Sequence, residues 1–292
     1  MIVVAGGTGM LGTRLVPLLA SQGLAVRVLT RDPARAEHLA GPGVEAVRGD
    51  VRDPASIAPA LRGASTVISA MHGFAGAGGV SPASVDRAGN ANLISAAAHA
   101  GADFILVSVA GAASTHPIGL FRAKHAAEDT LRASGIPWTI LRATAFIETW
   151  GILMGQQLRA SGKILVFGRG DNPINFVSVT DVAALLSHAA TSPSLRGQVL
   201  QLGGPDNLTF NQFAGILQEA TGCQGTVRHV PRPLLYTMAF TAAPLKPALA
   251  RQARAALAMD TLNMRFDPAP TRRAFPGLPE TSLPTALKEL LA

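Results

Sequence analysis

The chain has one cysteine, Cys223, among 292 residues. A disulfide within the chain is thereby excluded and no thiol cluster exists to hold a metal, so Cys223 reads as a small packing residue. Aromatic residues make up only 5% of the sequence and no nucleic-acid-binding motif is present, which argues against a DNA- or RNA-binding protein. No apolar run reaches the roughly 20 residues that a membrane-spanning helix needs. The amino terminus is itself an apolar strand, so no signal peptide is expected and a cytoplasmic location is. Acids are outnumbered, 18 against 25 Lys and Arg, for a formal charge of +7. The shortage is local: no acid lies between Glu219 and Asp260, where Arg228, Arg232, Lys246, Arg251 and Arg254 all fall. A solvated basic face accounts for this, and the 220–259 segment also suits an anionic or acidic partner or a membrane surface.

What is there begins at residue 1. The apolar run Ile2 to Ala5 reads as a buried strand that enters a turn with glycines at Gly6, Gly9 and Gly12, after which a helix carries Leu15, Val16, Leu18 and Leu19. Gly6 permits the tight turn, Gly9 lets the backbone approach a pyrophosphate, and Gly12 lets the helix pack against its strand. The backbone from Gly6 through Thr8, Gly9, Met10, Leu11 and Gly12 is the expected phosphate cradle, since free N–H groups and the positive end of the helix dipole face an anion there. A second strand, Ala25 to Thr30, completes a βαβ unit of the kind that confirms a dinucleotide fingerprint. An acid at its tip would bond the 2′-hydroxyl of NAD. Here Thr30 occupies that place and Arg31 follows, with Arg35 a turn later, so Arg31 is expected to pair with the 2′-phosphate of NADP(H). Asp32 is the neighbour that could neutralise it instead.

Further strands follow at Val44 to Asp50, Thr66 to Ala70 and Phe104 to Val109, alternating with helices at Pro33 to Ala40, Pro54 to Leu61 and Ser84 to Ala100. Asp50 and Val51 are expected beside the adenine, although Asp50 and Asp53 also suit capping of the next helix. The glycine-rich loop after the fourth strand, beginning at Ala70 and Met71, reads as a flexible lip beside the cofactor. Such alternation predicts an α/β Rossmann fold with a doubly wound parallel sheet and ligands outside the carboxyl ends of the strands. The expected division is a dinucleotide domain at 1–150, with 174–202 returning to the sheet, and a smaller substrate or lid region at 151–173 and 203–292.

Ala5-Gly-Gly-Thr-Gly-Met-Leu-Gly12, Thr30-Arg-Asp-Pro33, Gly49-Asp-Val-Arg-Asp53, Leu106-Val-Ser-Val-Ala-Gly111, Lys124-His-Ala-Ala-Glu128, Ile136-Pro-Trp-Thr-Ile-Leu-Arg142 and Phe176-Val-Ser-Val-Thr-Asp-Val-Ala183 occur in this order. Together they resemble an atypical short-chain dehydrogenase/reductase of the NmrA-like group. The resemblance implies NAD(P)(H), and a carboxyl-terminal part that closes over the nicotinamide and sets the substrate. Related reductases use a Tyr-x-x-x-Lys pair. Lys124 matches the lysine, but Leu120 stands where the tyrosine belongs, and the one tyrosine of the chain, Tyr236, lies far downstream.

Lys124 therefore stands as the candidate acid or the anchor of the nicotinamide ribose, with Ser108 and His116 as further catalytic candidates. His125 should point away from Lys124, and Glu128 is spaced to pair with it at i, i+4. Ala143, Thr144 and Phe146 are expected over the nicotinamide, and Phe146, Ile147, Trp150, Ile152, Leu153 and Met154 form a candidate apolar wall. Asp181 is expected to cap a helix. The segment from Pro231 to Met259 reads as a lid or a docking surface. Two readings stand: an NADPH-dependent reductase of a small apolar or aromatic acceptor such as a quinone or conjugated carbonyl, or a non-catalytic NADP(H)-binding regulator or accessory protein, like NmrA itself or a respiratory complex I subunit.

Overall fold

A computed structural model describes residues 1–76 and 78–291; Ala77, in the expected lip, lies outside them. In chain order the elements are β1 (Ile2–Ala5), α1 (Gly12–Ser21), β2 (Val26–Thr30), β3 (Val44–Arg48), α2 (Pro54–Ile57), β4 (Thr66–Ser69), α3 (Asn90–Ala100), β5 (Asp103–Val109), α4 (Gly119–Arg132) and β6 (Trp138–Ala143). They continue as β7 (Ala145–Phe146), α5 (Ile147–Ser161), β8 (Lys163–Phe167), β9 (Ile174–Val177), α6 (Val179–Thr191), β10 (Gln198–Leu202), β11 (Asn207–Leu208), α7 (Phe210–Thr221), β12 (Thr226–Val230), α8 (Arg232–Thr241), α9 (Pro247–Thr261), α10 (Ala269–Ala274) and α11 (Leu283–Leu291). The chain forms two compact units, one of Met1–Arg142 with Val182–Gln201, the other of Ala143–Asp181 with the residues from Leu202 onward.

The first unit is built on a seven-stranded sheet in the order β10-β6-β5-β4-β1-β2-β3, and the pairs β1–β2, β1–β4, β2–β3 and β4–β5 run parallel. Every residue of β1 and β4 is buried, and helices cover both faces of such a sheet, which is why these strands read as continuous apolar runs instead of alternating ones. Val3, Val67, Phe104 and Leu106 from the strands pack with Leu93, Ile94 and Leu131 from α3 and α4. Because β1 sits between β2 and β4, strand order reverses there. The crevice outside the carboxyl ends of β1 and β4 is where sheets of this kind receive a ligand.

Two local expectations change in this unit. The helix expected over Ser84 to Ala100 is in two parts, a π-helical segment Pro82–Gly89 followed by α3. The helix expected to start near Pro54 is capped by Asp53, whose carboxylate accepts the Ala55 N–H at 3.1 Å; Asp50 takes no part in that cap.

The second unit holds a small sheet in which β9 pairs with β7 in parallel and with β11 antiparallel, and a separate parallel pair of β8 and β12. The expected return of 174–202 to the large sheet is therefore confined to β10. Strand β9 is held in its own unit by Asn175, whose amide donates to the Gly204 carbonyl at 3.1 Å while its oxygen accepts the Gly204 N–H at 2.9 Å. Asp181 does not cap α6. It accepts Thr281 Oγ1 at 2.6 Å and Arg272 at 2.8 Å, and the first N–H groups of α6 go instead to Ser178 Oγ, which accepts from Thr180, and to Glu148, which accepts from Val179. Thr209 caps α7 reciprocally with Gln212, a capping box.

Candidate active site

The glycine turn connects β1 to α1 at the sheet's reversal point. Its glycines differ in what they permit. Gly6 has φ +87°, and a Cβ there would lie 2.8 Å from the Ala70 carbonyl oxygen, so the end of β4 can close on the turn only against a bare backbone. A Cβ on Gly12 would lie 2.4 Å from Gly7 Cα, which fixes how tightly α1 folds back on its own turn. Gly9 is exposed, and a Cβ there would meet only the Gly6 oxygen, at 3.2 Å. Helix α1 opens with no side-chain cap and no acid in its first turn. An exposed bare backbone in front of an uncapped helix end fits a pyrophosphate.

At the tip of β2, Asp32 spends its carboxylate on the Ala34 N–H at 3.2 Å, opening the next helical turn. Arg31 and Arg35 are exposed, and neither makes an ion pair among the described residues. Asp50 is held by Arg52, which reaches Oδ2 at 2.6 Å, and this hydrogen bond keeps the Asp50 carboxyl below the usual carboxylate range. The Val51 carbonyl accepts from Asn92 Nδ2 at 2.9 Å.

Lys124 lies on α4 and is 3% exposed. Its ammonium donates to the Met71 carbonyl at 2.9 Å and stands 3.1 Å from Oδ1 of the fully buried Asp86. That second contact is a charge pairing without good hydrogen-bond direction, since Asp86 Oδ1 has no hydrogen-bond partner. Asp86 Oδ2 accepts the Gly73 N–H at 2.8 Å. The buried pair thus holds the chain on both sides of His72, pinning the start of the lip beside Gly6. Behind it, Ser69 donates to Asn90 Oδ1 at 2.6 Å, and Asn90 donates to the Asp86 carbonyl at 2.7 Å. The His72 side chain is accessible yet closely surrounded by protein. Desolvation lowers its pKa against the pull of Asp86 and with the push of Lys124.

Glu128 is not the partner of Lys124. Its buried carboxylate receives Arg142 at 2.6 and 2.9 Å, Arg132 at 2.9 Å and the Ser108 hydroxyl at 2.6 Å. Burial opposes ionisation of this group, but the bonds from Arg142, Ser108 and Arg132 outweigh it and hold the carboxyl below its ordinary value. Ser108 is therefore engaged inside the first unit. His116 stacks on Phe121 with centroids 4.1 Å apart, its Nδ1 accepts the Ile118 N–H at 3.1 Å, and desolvation lowers its pKa. His125 faces Asp129 at 2.9 Å.

The glycine turn, Arg31, Asp50, Val51, Ala70, Met71, Ser108, His116 and Lys124 all belong to the first unit, whereas Ala143, Thr144 and Phe146 open the second. Thr144 Oγ1 donates to Asn175 there at 2.9 Å. The candidate apolar wall does not form as one surface: Ile147 and Met154 are core, Trp150 packs edge-on against Phe210, and Leu153 is exposed. Sequence reasoning missed Asp86, Asn90 and His72. Among the described residues no group of three or more His, Cys, Asp or Glu is arranged to hold a metal ion.

A Rossmann sheet with a glycine turn at its reversal point and an uncapped helix behind it defines a dinucleotide-binding protein of the reductase type. The chain belongs to the NAD(P)H-binding family, whose pattern matches residues 6–193. It is 29% identical over 272 residues to an NAD(P)H azoreductase of Xenophilus azovorans, covering 92% of this chain and 87% of that one. To quinone oxidoreductase 2 of Escherichia coli strain K12 it is 29% identical over 236 residues, 79% of this chain and 78% of the relative. The crystal structure of an NADPH-dependent quinone oxidoreductase from Escherichia coli complexed with NADPH has the same fold, with a TM-score of 0.79 over the whole of both chains at 24% identity.

Proposed function

We propose that the protein is an NADPH-dependent reductase of small, largely apolar or aromatic two-electron acceptors, quinones first and dyes of the azo or conjugated type next. The observation that carries the reading is that the tyrosine is missing and the candidate groups nearest its place are each held by a partner. Leu120 replaces the tyrosine, Ser108 donates to Glu128, His116 is stacked on Phe121 with its Nδ1 on the Ile118 N–H, and the Lys124 ammonium is paired with Asp86 and the Met71 carbonyl. His72 is accessible, but a lowered pKa leaves it neutral at pH 7 and so no standing acid. A site of this kind suits acceptors whose reduced form is stable as an anion and takes its proton from water. A quinone is an acceptor of that chemistry, and one of the named relatives is a quinone oxidoreductase.

Bound NADPH supplies the hydride. The turn from Gly6 to Gly12 holds the pyrophosphate against α1, and the exposed Arg31 meets the 2′-phosphate. Lys124 acts as a positioning residue: paired with Asp86 it fixes Met71 to Gly73 beside the turn, and its third N–H remains for the nicotinamide ribose. Purified protein tested on a panel of quinones, azo dyes and simple ketones should oxidise NADPH with the first two and not with ketones. Its kcat/KM for quinones should stay level across neutral pH. Arg31→Ala should raise the Kd for NADPH about tenfold or more, as loss of a charged hydrogen bond implies, and leave NADH within about twofold. Tight NADPH binding with no turnover on the whole panel would instead point to a regulator.

A further inference from the structure

Large apolar side chains are exposed at only a few places in this molecule, and the four most exposed fall in one stretch of twelve residues: Leu234 at 50%, Tyr236 at 53%, Phe240 at 72% and Leu245 at 87%. Helix α8 explains the arrangement. Its inner face, Leu235 and Ala239, packs with Ala253, Ala256 and Leu257 of α9. The opposite arc carries Leu234, Tyr236 and Phe240, and Leu245 extends it into the turn before α9. A helix of ten residues is about 15 Å long, half the thickness of a bilayer core, and no helix among the described residues is long and apolar enough to cross a membrane. Lys246 follows directly and is exposed, and the whole run from 220 to 259 contains no acid.

We propose that this face docks on an anionic lipid bilayer, with Leu234, Tyr236, Phe240 and Leu245 entering the interfacial layer and the exposed Lys246 beside them lying against the phosphate headgroups, while Arg232 stays paired with Asp260 at 2.5 Å. Charge decides among occupants. A second copy applied face to face would bring together two segments, Leu234 to Lys246, that each carry a cation and no acid of their own, whereas an anionic surface meets that charge favourably. The inference rests on exposure and charge alone and stands apart from the reading of the reductase site.

The test is sedimentation of the full-length protein with vesicles of phosphatidylcholine alone and of phosphatidylcholine with phosphatidylglycerol. Binding is expected to the anionic vesicles and to weaken as salt rises. The double variant Phe240→Ser/Leu245→Ser should lose affinity about tenfold or more, in line with the burial worth of such side chains, while its NADPH binding is unchanged. Lys246→Glu, which keeps the apolar face, should weaken binding to anionic vesicles only. No sedimentation with anionic vesicles overturns the proposal. So does self-association of the wild type that Phe240→Ser abolishes, which would make the face a contact between copies. Loss of reduction of a water-soluble quinone in the double variant with vesicle binding intact overturns it in favour of a substrate lid.

Discussion

At the scale of single residues, the glycines of the first turn do separate jobs. Gly12 is structural: a methyl group there meets Gly7 Cα at 2.4 Å, with backbone on every side, so nothing can yield. Gly9 is different, because its Cβ would face only the Gly6 oxygen at 3.2 Å and its φ is not positive. Alanine at Gly9 should therefore fold with a cost below about 1 kcal/mol but stand where a pyrophosphate must approach. Gly12→Ala should cost several-fold more, in the range of about 1–3 kcal/mol given for overpacking, or prevent folding. Thermal melts paired with NADPH titration separate the two. A Gly9→Ala protein that binds NADPH as tightly as wild type would remove the turn from the cofactor site.

The buried pair of Lys124 and Asp86 belongs to the scale of elements, since it ties α4 and the π-helical segment to the loop after β4. Lys124 was legible as a candidate from its sequence context, but its partner was not. Asp86 sits in a stretch that reads as ordinary helix, and a π turn, which adds a residue per turn, leaves no mark in apolar spacing. Glu128 was misread for a related reason. Its spacing from Lys124 is right for a local pair, yet Arg142 on β6 binds it with two hydrogen bonds, and a partner fourteen residues away on another element cannot be read from helical period. Asp86→Asn should leave a buried ammonium uncompensated and destabilise by about 3–5 kcal/mol, the cost of breaking a buried pair from one side. Removing both charges with Asp86→Asn/Lys124→Met should recover most of that loss in urea melts. Turnover should not recover, because the Met71 carbonyl has lost the ammonium that held it and no N–H is left for the nicotinamide ribose; full recovery of kcat in the double variant would reduce the pair to a packing feature.

For the whole molecule, the sheet was readable because its strands are short runs bounded by turn residues and alternate with helices, the pattern of a parallel sheet. The boundary of the second unit was not, because Ile174–Val177 reads as a central strand, and its pairing with the two-residue strands β7 and β11, together with the side-chain bonds of Asn175, assigns it elsewhere. What holds the first unit together against acid can be argued from Glu128, which joins α4, β5 and β6 through Arg132, Ser108 and Arg142. Its carboxyl has a lower pKa in the folded protein than the ordinary value of 4.5, so the ionised form stabilises the fold. That contribution is complete at pH values above the ordinary one and disappears as pH falls through the lowered folded value. Glu128→Gln keeps the shape but takes the counter-charge from Arg142, while Arg132 keeps Asp129 at 3.2 Å, so it should cost about 3 kcal/mol at pH 7. In urea melts taken from pH 7 downward, the gap between wild type and variant should hold until near pH 4.5 and then close. A gap that stays constant into acid would mean that lost packing, and not lost charge, sets the cost of the substitution.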